Sequence, residues 1–323
     1  MILKEATSSY KTIKTIYPYL GVNCEDYWHI NYEFRDFSQN FDYYWNLKKK
    51  YEDFEGNYDE YHVPLYLGSD GIEYYSSIFL GHYAIGAYQK FIDDNDLIAK
   101  NDFILIANWF VDNLNENGLW INEYPMKTFN LESNWHSGLS QAKGVSTLTR
   151  AFYLTHDIKY LNAAVNAIKP YTRTVLDDGI QVINKERIFF EEYTTINPSS
   201  VLNGHIFAIW SLRDMIEAFK INKIENTDQK TILNLYELVL SDLSKSLYLW
   251  DTGRWSRYDI WPEHYNITSL FYHDLHIKQL NILYRLTQNN IFHEYELKWR
   301  KYRENPILRI LSLAEKIKFR LVK

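Results

Sequence analysis

Four short segments concentrate side chains able to move protons or hold a polar ligand. The first, Trp135-His-Ser-Gly-Leu-Ser-Gln, opens an apolar-periodic run. Trp135, His136 and Gln141 offer an aromatic face, an imidazole and an amide there, while Ser137 has the chemistry of a helix cap. The second, Glu191-Glu-Tyr-Thr-Thr-Ile-Asn-Pro-Ser-Ser-Val-Leu-Asn-Gly-His, sets two adjacent carboxylates after the apolar Ile188-Phe-Phe. Two buried, ionised neighbours would repel, so at least one of them is expected to be paired, exposed or shifted in pKa. Pro198, Ser199 and Ser200 read as turn and cap residues. The third segment is Arg254-Trp-Ser-Arg-Tyr-Asp-Ile-Trp and the fourth Tyr272-His-Asp-Leu-His-Ile-Lys-Gln-Leu. His273 and His276 are spaced to share a helix face, as metal ligands do. No third ligand clusters with them, so hydrogen bonding beside a ligand or within the core is the expected role, and neither metal nor cofactor is expected.

The elements that must hold these residues read as paired helices. From Ser76 onward apolar residues recur at helical spacing, predicting helices over 76–94, 98–115, 139–155, 158–175, 203–221, 227–247, 274–288 and 291–304. Paired helices without intervening strands argue for a mainly α fold, an (α/α) toroid or incomplete α/α barrel with a cleft at one end. The long connections 116–138 and 176–202 carry alternating stretches, Gly179-Ile-Gln-Val-Ile and Arg187-Ile-Phe-Phe among them, read as small β-hairpins at the cleft rim. Residues 1–60 show little periodicity and are expected to be irregular and packed on the main body. Residues 61–305 form the expected toroid, and 306–323 a basic amphipathic helix.

Composition narrows the function classes. The net charge of −6 disfavours nucleic acid as a partner. A single cysteine, Cys24, excludes an intrachain disulfide and leaves no Cys/His zinc spacing. The first twenty residues lack the apolar run of a signal peptide, so a cytoplasmic protein is expected. Aromatic residues make up 17% of the chain, with 28 Tyr, which fits both AT-rich codon usage and stacking on sugar rings.

Taken together the four segments resemble the C-terminal catalytic domain of the heparosan (D-glucuronyl) C5-epimerase family. The resemblance rests on Glu191-Glu-Tyr with Pro-Ser-Ser-Val-Leu-Asn-Gly downstream, Arg257-Tyr-Asp, Tyr272-His-x-x-His-Ile-x-Gln-Leu, and Trp135-x-Ser-x-x-x-Gln followed by Val145-Ser-Thr-Leu-x-Arg-Ala. It covers about Leu65 to Leu286. It implies a helical toroid, cofactor-free inversion at C5 of a uronic acid within a polysaccharide, and acid/base work by Tyr193, Tyr258 and Tyr272 with Glu192 beside them. Trp135, His136, Gln141, Asn203, Arg257, His273 and His276 are the expected substrate-binding residues. The chain departs from the better-known animal members in carrying Trp261-Pro262 where those have basic residues, and His205 where an apolar aromatic is usual. It looks like a bacterial relative acting on a capsule, O-antigen or similar glycan.

Inverting C5 needs groups on both faces of the ring, and Tyr258 with Tyr272 is the expected opposing pair. Cationic or N–H donors, with His136, Arg257 and His273 as candidates, must hold the enediolate formed when the proton leaves. A lyase begins with the same abstraction, a glycoside hydrolase would use Glu192 with Asp259, and a glycan-binding protein would keep the groove without the chemistry. The segment 306–323 suits an anionic membrane surface at the inner membrane, a glycosyltransferase partner, or packing on the chain's own body. A homodimer is a further admissible assembly.

Overall fold

The computed structural model describes residues 17–20, 27–184, 187–224 and 227–322. Cys24 and much of the expected N-terminal segment lie outside these. The fold is mainly helical, as the sequence predicts. Its helices are α1 (Lys48–Glu52), α2 (Ser77–Asp94), α3 (Leu97–Asp112), α4 (Gly138–Thr155), α5 (Ile158–Ile168), α6 (Leu202–Ile221), α7 (Thr227–Ser246), α8 (Leu270–Thr287), α9 (Asn290–Glu304) and α10 (Pro306–Val322). Two antiparallel strand pairs accompany them: β1 (Tyr66–Leu67) with β2 (Glu73–Tyr74), and β3 (Gln181–Asn184) with β4 (Arg187–Phe190).

Contacts divide the chain into one unit of residues 32–245 and another of 1–31 with 246–323. In the first, α4 packs between α2 and α6, α3 covers α2 and α5 covers α4. Helix α4 is buried without a break from Gly138 to Phe152, which marks it as the central helix. Its polar side chains are absorbed locally. Thr147 and Thr149 donate to the carbonyls of Lys143 and Val145, and Arg150 donates to the Ser146 and Asp42 carbonyls and to Asp214 at 2.8 Å. Gln89 is one of the side chains that fasten residues 32–47 to this body. Its amide donates to Asp42 and the Trp45 carbonyl and accepts from Leu47 N–H. Trp45 and Trp210 then meet edge-on at 4.9 Å.

In the second unit α8 packs on α9 and α9 on α10. Tyr19, Trp255, Ile267 and Leu270 form a small core against Tyr302 and Leu313, and Tyr19 accepts the Leu270 N–H at 3.0 Å.

Three hairpins share one connection. Asn95, His156 and Gln288 end α2, α4 and α8 in the left-handed region, at φ 54°, 57° and 56°. The next residues, Asp96, Asp157 and Asn289, turn extended and accept from the first N–H groups of α3, α5 and α9.

Helix positions follow the apolar periodicity closely, and the differences have local causes. Helix α5 was expected to reach 175 but ends at Ile168, because Pro170 has no N–H to continue it. Helix α8 begins at Leu270 rather than 274, since Ser269 caps it by accepting the Tyr272 N–H. Of the expected rim hairpins, the one in 176–202 is β3–β4, with Gln181 opposite Phe190 and Ile183 opposite Ile188. The connection 116–138 instead carries isolated bridges, Asn122 to Trp135 and Met126 to Leu131, around a 3-10 turn at Lys127–Phe129. The β1–β2 pair was not anticipated.

Candidate active site

The candidate residues fall into two clusters, one in each unit. In the 32–245 unit, Ser137 caps α4 by accepting from Leu139 and Ser140 N–H, which fixes the approach of Trp135 and His136. Trp135 donates its indole N–H to the Tyr124 carbonyl at 2.7 Å and lies 5.6 Å from the Tyr193 ring. Phe129 stacks on Tyr193, its ring 4.1 Å away at 14°. Tyr193 is thus buried on an aromatic bed.

The adjacent carboxylates that sequence marks as incompatible are handled differently. Glu191 accepts from the N–H and hydroxyl groups of both Ser199 and Ser200, at 2.6 to 3.2 Å. Burial pushes its pKa up, and those four donors pull against the shift. Glu192 is equally buried but has fewer donors: Asn203 Nδ2 at 3.1 Å, the Tyr193 hydroxyl and the Gly204 N–H. Burial raises its pKa from 4.5 to about 7, and the nearby Glu191 adds to the rise.

The local sequence explains this placement. Val201 occupies the cap position of α6 and cannot cap it, so Glu192 serves the first turn from outside. Gly204 is required there: a Cβ at this position would stand 2.3 Å from Glu192 Oε2. Ser76, which caps α2, also meets the Tyr124 hydroxyl at 3.1 Å. Burial raises Tyr124 far above the usual phenol range, and the charge of Glu192 contributes to that.

His136 donates from Nε2 to the Gly179 carbonyl at 2.8 Å, and burial lowers its pKa, so it is neutral near pH 7. It can offer dipoles and not a cation. Gln141 is fully buried, and its amide is taken up by the backbone. Nε2 donates to the Gly118 and Ala167 carbonyls, and Oε1 accepts the Trp120 N–H. Its role in this structure is to tie the 118–120 loop to α4 and the end of α5. His205, the departure from the family pattern, behaves as an aromatic: it stacks on Phe189 at 3.9 Å and burial lowers its pKa to about 3.

In the second unit Tyr258 and Tyr272 come together. Their ring centroids are 4.8 Å apart at 72°, edge to face, which leaves no room for a pyranose between them. The expected opposing pair therefore stands as one side-by-side couple. Arg257 lies over the Tyr265 ring at 4.8 Å and makes no ion pair among the described residues, so it is a cation beside that couple in sequence and unpaired in charge.

His273 and His276 are structural in this geometry. His273 stacks on Trp255 at 3.8 Å, donates from Nε2 to the Trp299 carbonyl and accepts at Nδ1 from the Ser256 hydroxyl at 2.7 Å. His276 Nδ1 also meets Ser256, and burial brings its pKa down to about 3. Asp259, fully buried, accepts from Trp261 N–H, His264 and Asn266.

Sequence reasoning missed Phe129, Tyr124, Ser76 and Gly204. Only Gly204 left a signal, as the glycine following Asn203 in the first turn of an apolar helix.

The fold and these clusters define a protein of helical hairpins that gathers buried tyrosines and a buried pair of carboxyls. The D-glucuronyl C5-epimerase C-terminus family matches residues 112–301, more than half of the chain, and the chain belongs to that family. It is 29% identical over 214 residues to a D-glucuronyl C5-epimerase of Caenorhabditis elegans, covering 62% of this chain and 34% of the relative. It is 34% identical over 187 residues to the uncharacterized protein MJ1128 of Methanocaldococcus jannaschii, covering 57% of each. The chain thus spans between a third and three fifths of the length of these relatives. A solved structure described as a possible member of the GH105 family, from Salmonella enterica, superposes at a TM-score of 0.45 with 10% identity over 79% of each chain.

Proposed function

We propose that this protein is a uronosyl C5-epimerase, an isomerase acting on hexuronic acid residues of a polysaccharide or its lipid-linked precursor, of the glucuronate-to-iduronate type. The observation that carries the reading is the family match over residues 112–301, which takes in Glu192, buried and held by Asn203 Nδ2 at 3.1 Å, together with Tyr193, Tyr258 and Tyr272. A carboxyl that titrates near neutral pH, coupled to a phenol, can take up and return a proton at working pH.

The chemistry asked of the site is modest in bonds and demanding in charge. The C5 proton passes to a base, the C5–H electron pair moves into the adjacent carboxylate as an enediolate, and a proton returns to C5 from the opposite face. No chain bond breaks. In the proposed assignment Tyr193, Tyr258 and Tyr272 carry the acid/base work, with Glu192 hydrogen-bonded beside Tyr193. Asn203 holds Glu192, and the Arg257 guanidinium supplies positive charge for the enediolate. Trp135 and Phe129 give Tyr193 its fixed orientation. His136 contributes a neutral dipole, while Gln141, His273 and His276 support the scaffold.

Asp259 weighs against the hydrolase reading, since three donors already occupy its carboxylate and it is fully buried. A capsule- or O-antigen-type glycan of the kind bacteria assemble is the proposed substrate, and the cytoplasm the proposed compartment. Proton NMR in D₂O with heparosan and a panel of other uronate glycans tests the proposal. Loss of the C5–H signal with new iduronate-type signals and intact chains supports it. Unsaturated chain ends would make the protein a lyase, and binding without exchange would make it a glycan-binding protein.

A further inference from the structure

Helix α10 is set against its own unit by its polar and mixed side. Lys316 Nζ donates to Asn266 Oδ1 at 2.6 Å and to the Ile267 carbonyl at 2.9 Å, and Arg254 pairs with Glu315. Phe319 meets the His264 ring edge-on at 5.1 Å, and Leu313 packs on the core of Tyr19, Trp255, Ile267 and Leu270.

The opposite side is apolar and open. Ile307 is 67% exposed, Ile310 58%, Leu311 44%, Ile317 41% and Leu321 82%, and Ala314 is exposed between them. At about 100° of rotation per residue these six share an arc of about 120°, so they form one continuous band. A helix on the surface of a globular protein turns its apolar stripe inward. Here the orientation is reversed, and an exposed apolar band of this kind marks an interaction surface.

Charge indicates what covers it. Residues Trp299 to Lys323 hold eight Lys/Arg and two Glu, within a chain whose net charge is −6. Lys318 rises from within the band, where its aliphatic stem can lie along the apolar side chains while its ammonium reaches outward. Arg309 makes no ion pair among the described residues. A second copy of the chain would bring the same basic segment against this one, like charge on like. An anionic lipid surface supplies both an apolar layer for the band and opposite charge for its surroundings.

We propose that α10 is a membrane-surface helix that seats the Ile307–Leu321 band in the headgroup region of an anionic bilayer. Lying in the interface is the mode available to it: among the described residues no helix is long and apolar enough to cross a membrane. The proposal is independent of the catalytic reading.

The test is flotation of the full chain with phosphatidylcholine vesicles that contain or lack phosphatidylglycerol. A triple variant, Ile307→Gln, Ile310→Gln and Leu321→Gln, is compared with the parent. These side chains are the most exposed of the band and glutamine is a good helix former, so far-ultraviolet dichroism and the melting profile should not change. The parent should float with the anionic vesicles and be released by salt, and the triple variant should partition at least about tenfold more weakly. Lys318→Glu, which keeps the apolar band, should also weaken anionic binding. A parent that stays at the bottom of the gradient, one that floats equally well with pure phosphatidylcholine, or a triple variant that floats like the parent overturns the proposal. A parent dimer in light scattering that the triple variant dissociates also overturns it, and assigns the band to a contact between copies.

Discussion

Replacing Glu192 by glutamine should change how stability depends on pH, with a sign fixed by the burial of that carboxyl. Its pKa rises from 4.5 to about 7 on folding, so between those values the folded chain binds a proton that the unfolded chain does not. Stability from this group is fully present below the unfolded value and is lost as pH rises through about 7. From about pH 5.5 to about pH 8.5 the loss amounts to roughly 2 kcal/mol. Spread over 323 residues, this lowers the melting temperature by about 3 °C, and by about 4 °C if the 32–245 unit melts alone.

Five histidines, His82, His136, His205, His273 and His276, have pKa values that burial lowers, His136 being only part-buried, and act in the opposite direction, since acid must charge them to unfold the chain. They cancel when parent and Glu192→Gln are compared at each pH. The assay is thermal unfolding by circular dichroism of both proteins in matched buffers. The variant should gain on the parent as pH rises. An equal difference at both pH values would refute the assignment of a neutral-range pKa to Glu192, and with it the proton-relay role.

Tyr258→Phe and Tyr272→Phe should each reduce C5–H exchange by about a hundredfold or more while leaving the dichroism spectrum unchanged, which NMR in D₂O reads directly. Gly204→Ala should drive Glu192 from its place, cost about 1–3 kcal/mol in denaturant unfolding and reduce exchange with it. Gln141→Leu should cost about 3 kcal/mol in the same unfolding assay, because Trp120 N–H and the Gly118 and Ala167 carbonyls lose their partner. A raised KM at unchanged stability would instead return Gln141 to substrate binding. Asp214→Asn should destabilise by about 3–5 kcal/mol, since it leaves the fully buried Arg150 without its counter-charge.

Much of the helical framework was legible because apolar side chains at i, i+3 and i+4 record which face is buried. The errors lie where another constraint overrode periodicity: Pro170 stopped α5, and Ser269 started α8 one turn early. Two-residue strands such as β1 and β2 are too short to leave a period. For the candidate site, residue type was legible and partnership was not. The sequence flagged the Glu191–Glu192 conflict, but only the fold shows that Glu191 takes four donors and Glu192 fewer, with burial pushing both carboxyls up. Gln141, Asp259, His273 and His276 have the chemistry of ligand contacts. Each is instead enclosed by backbone or neighbouring polar groups contributed from distant positions, which no spacing rule encodes.

The shared two-residue connections at Asn95–Asp96, His156–Asp157 and Gln288–Asn289 bear on the order in which the chain folds. Each lets a hairpin close over a short loop, so α2–α3, α4–α5 and α8–α9 can form from contacts near in sequence. Residues 32–47 must wait for Gln89, Trp210 and Asp214 to be assembled before they have anything to grip. Pulse-labelled hydrogen exchange should therefore find the hairpin amides protected first and those of 43–47 last. The segment that locks the finished body is then made before the helices it grips and settles after them.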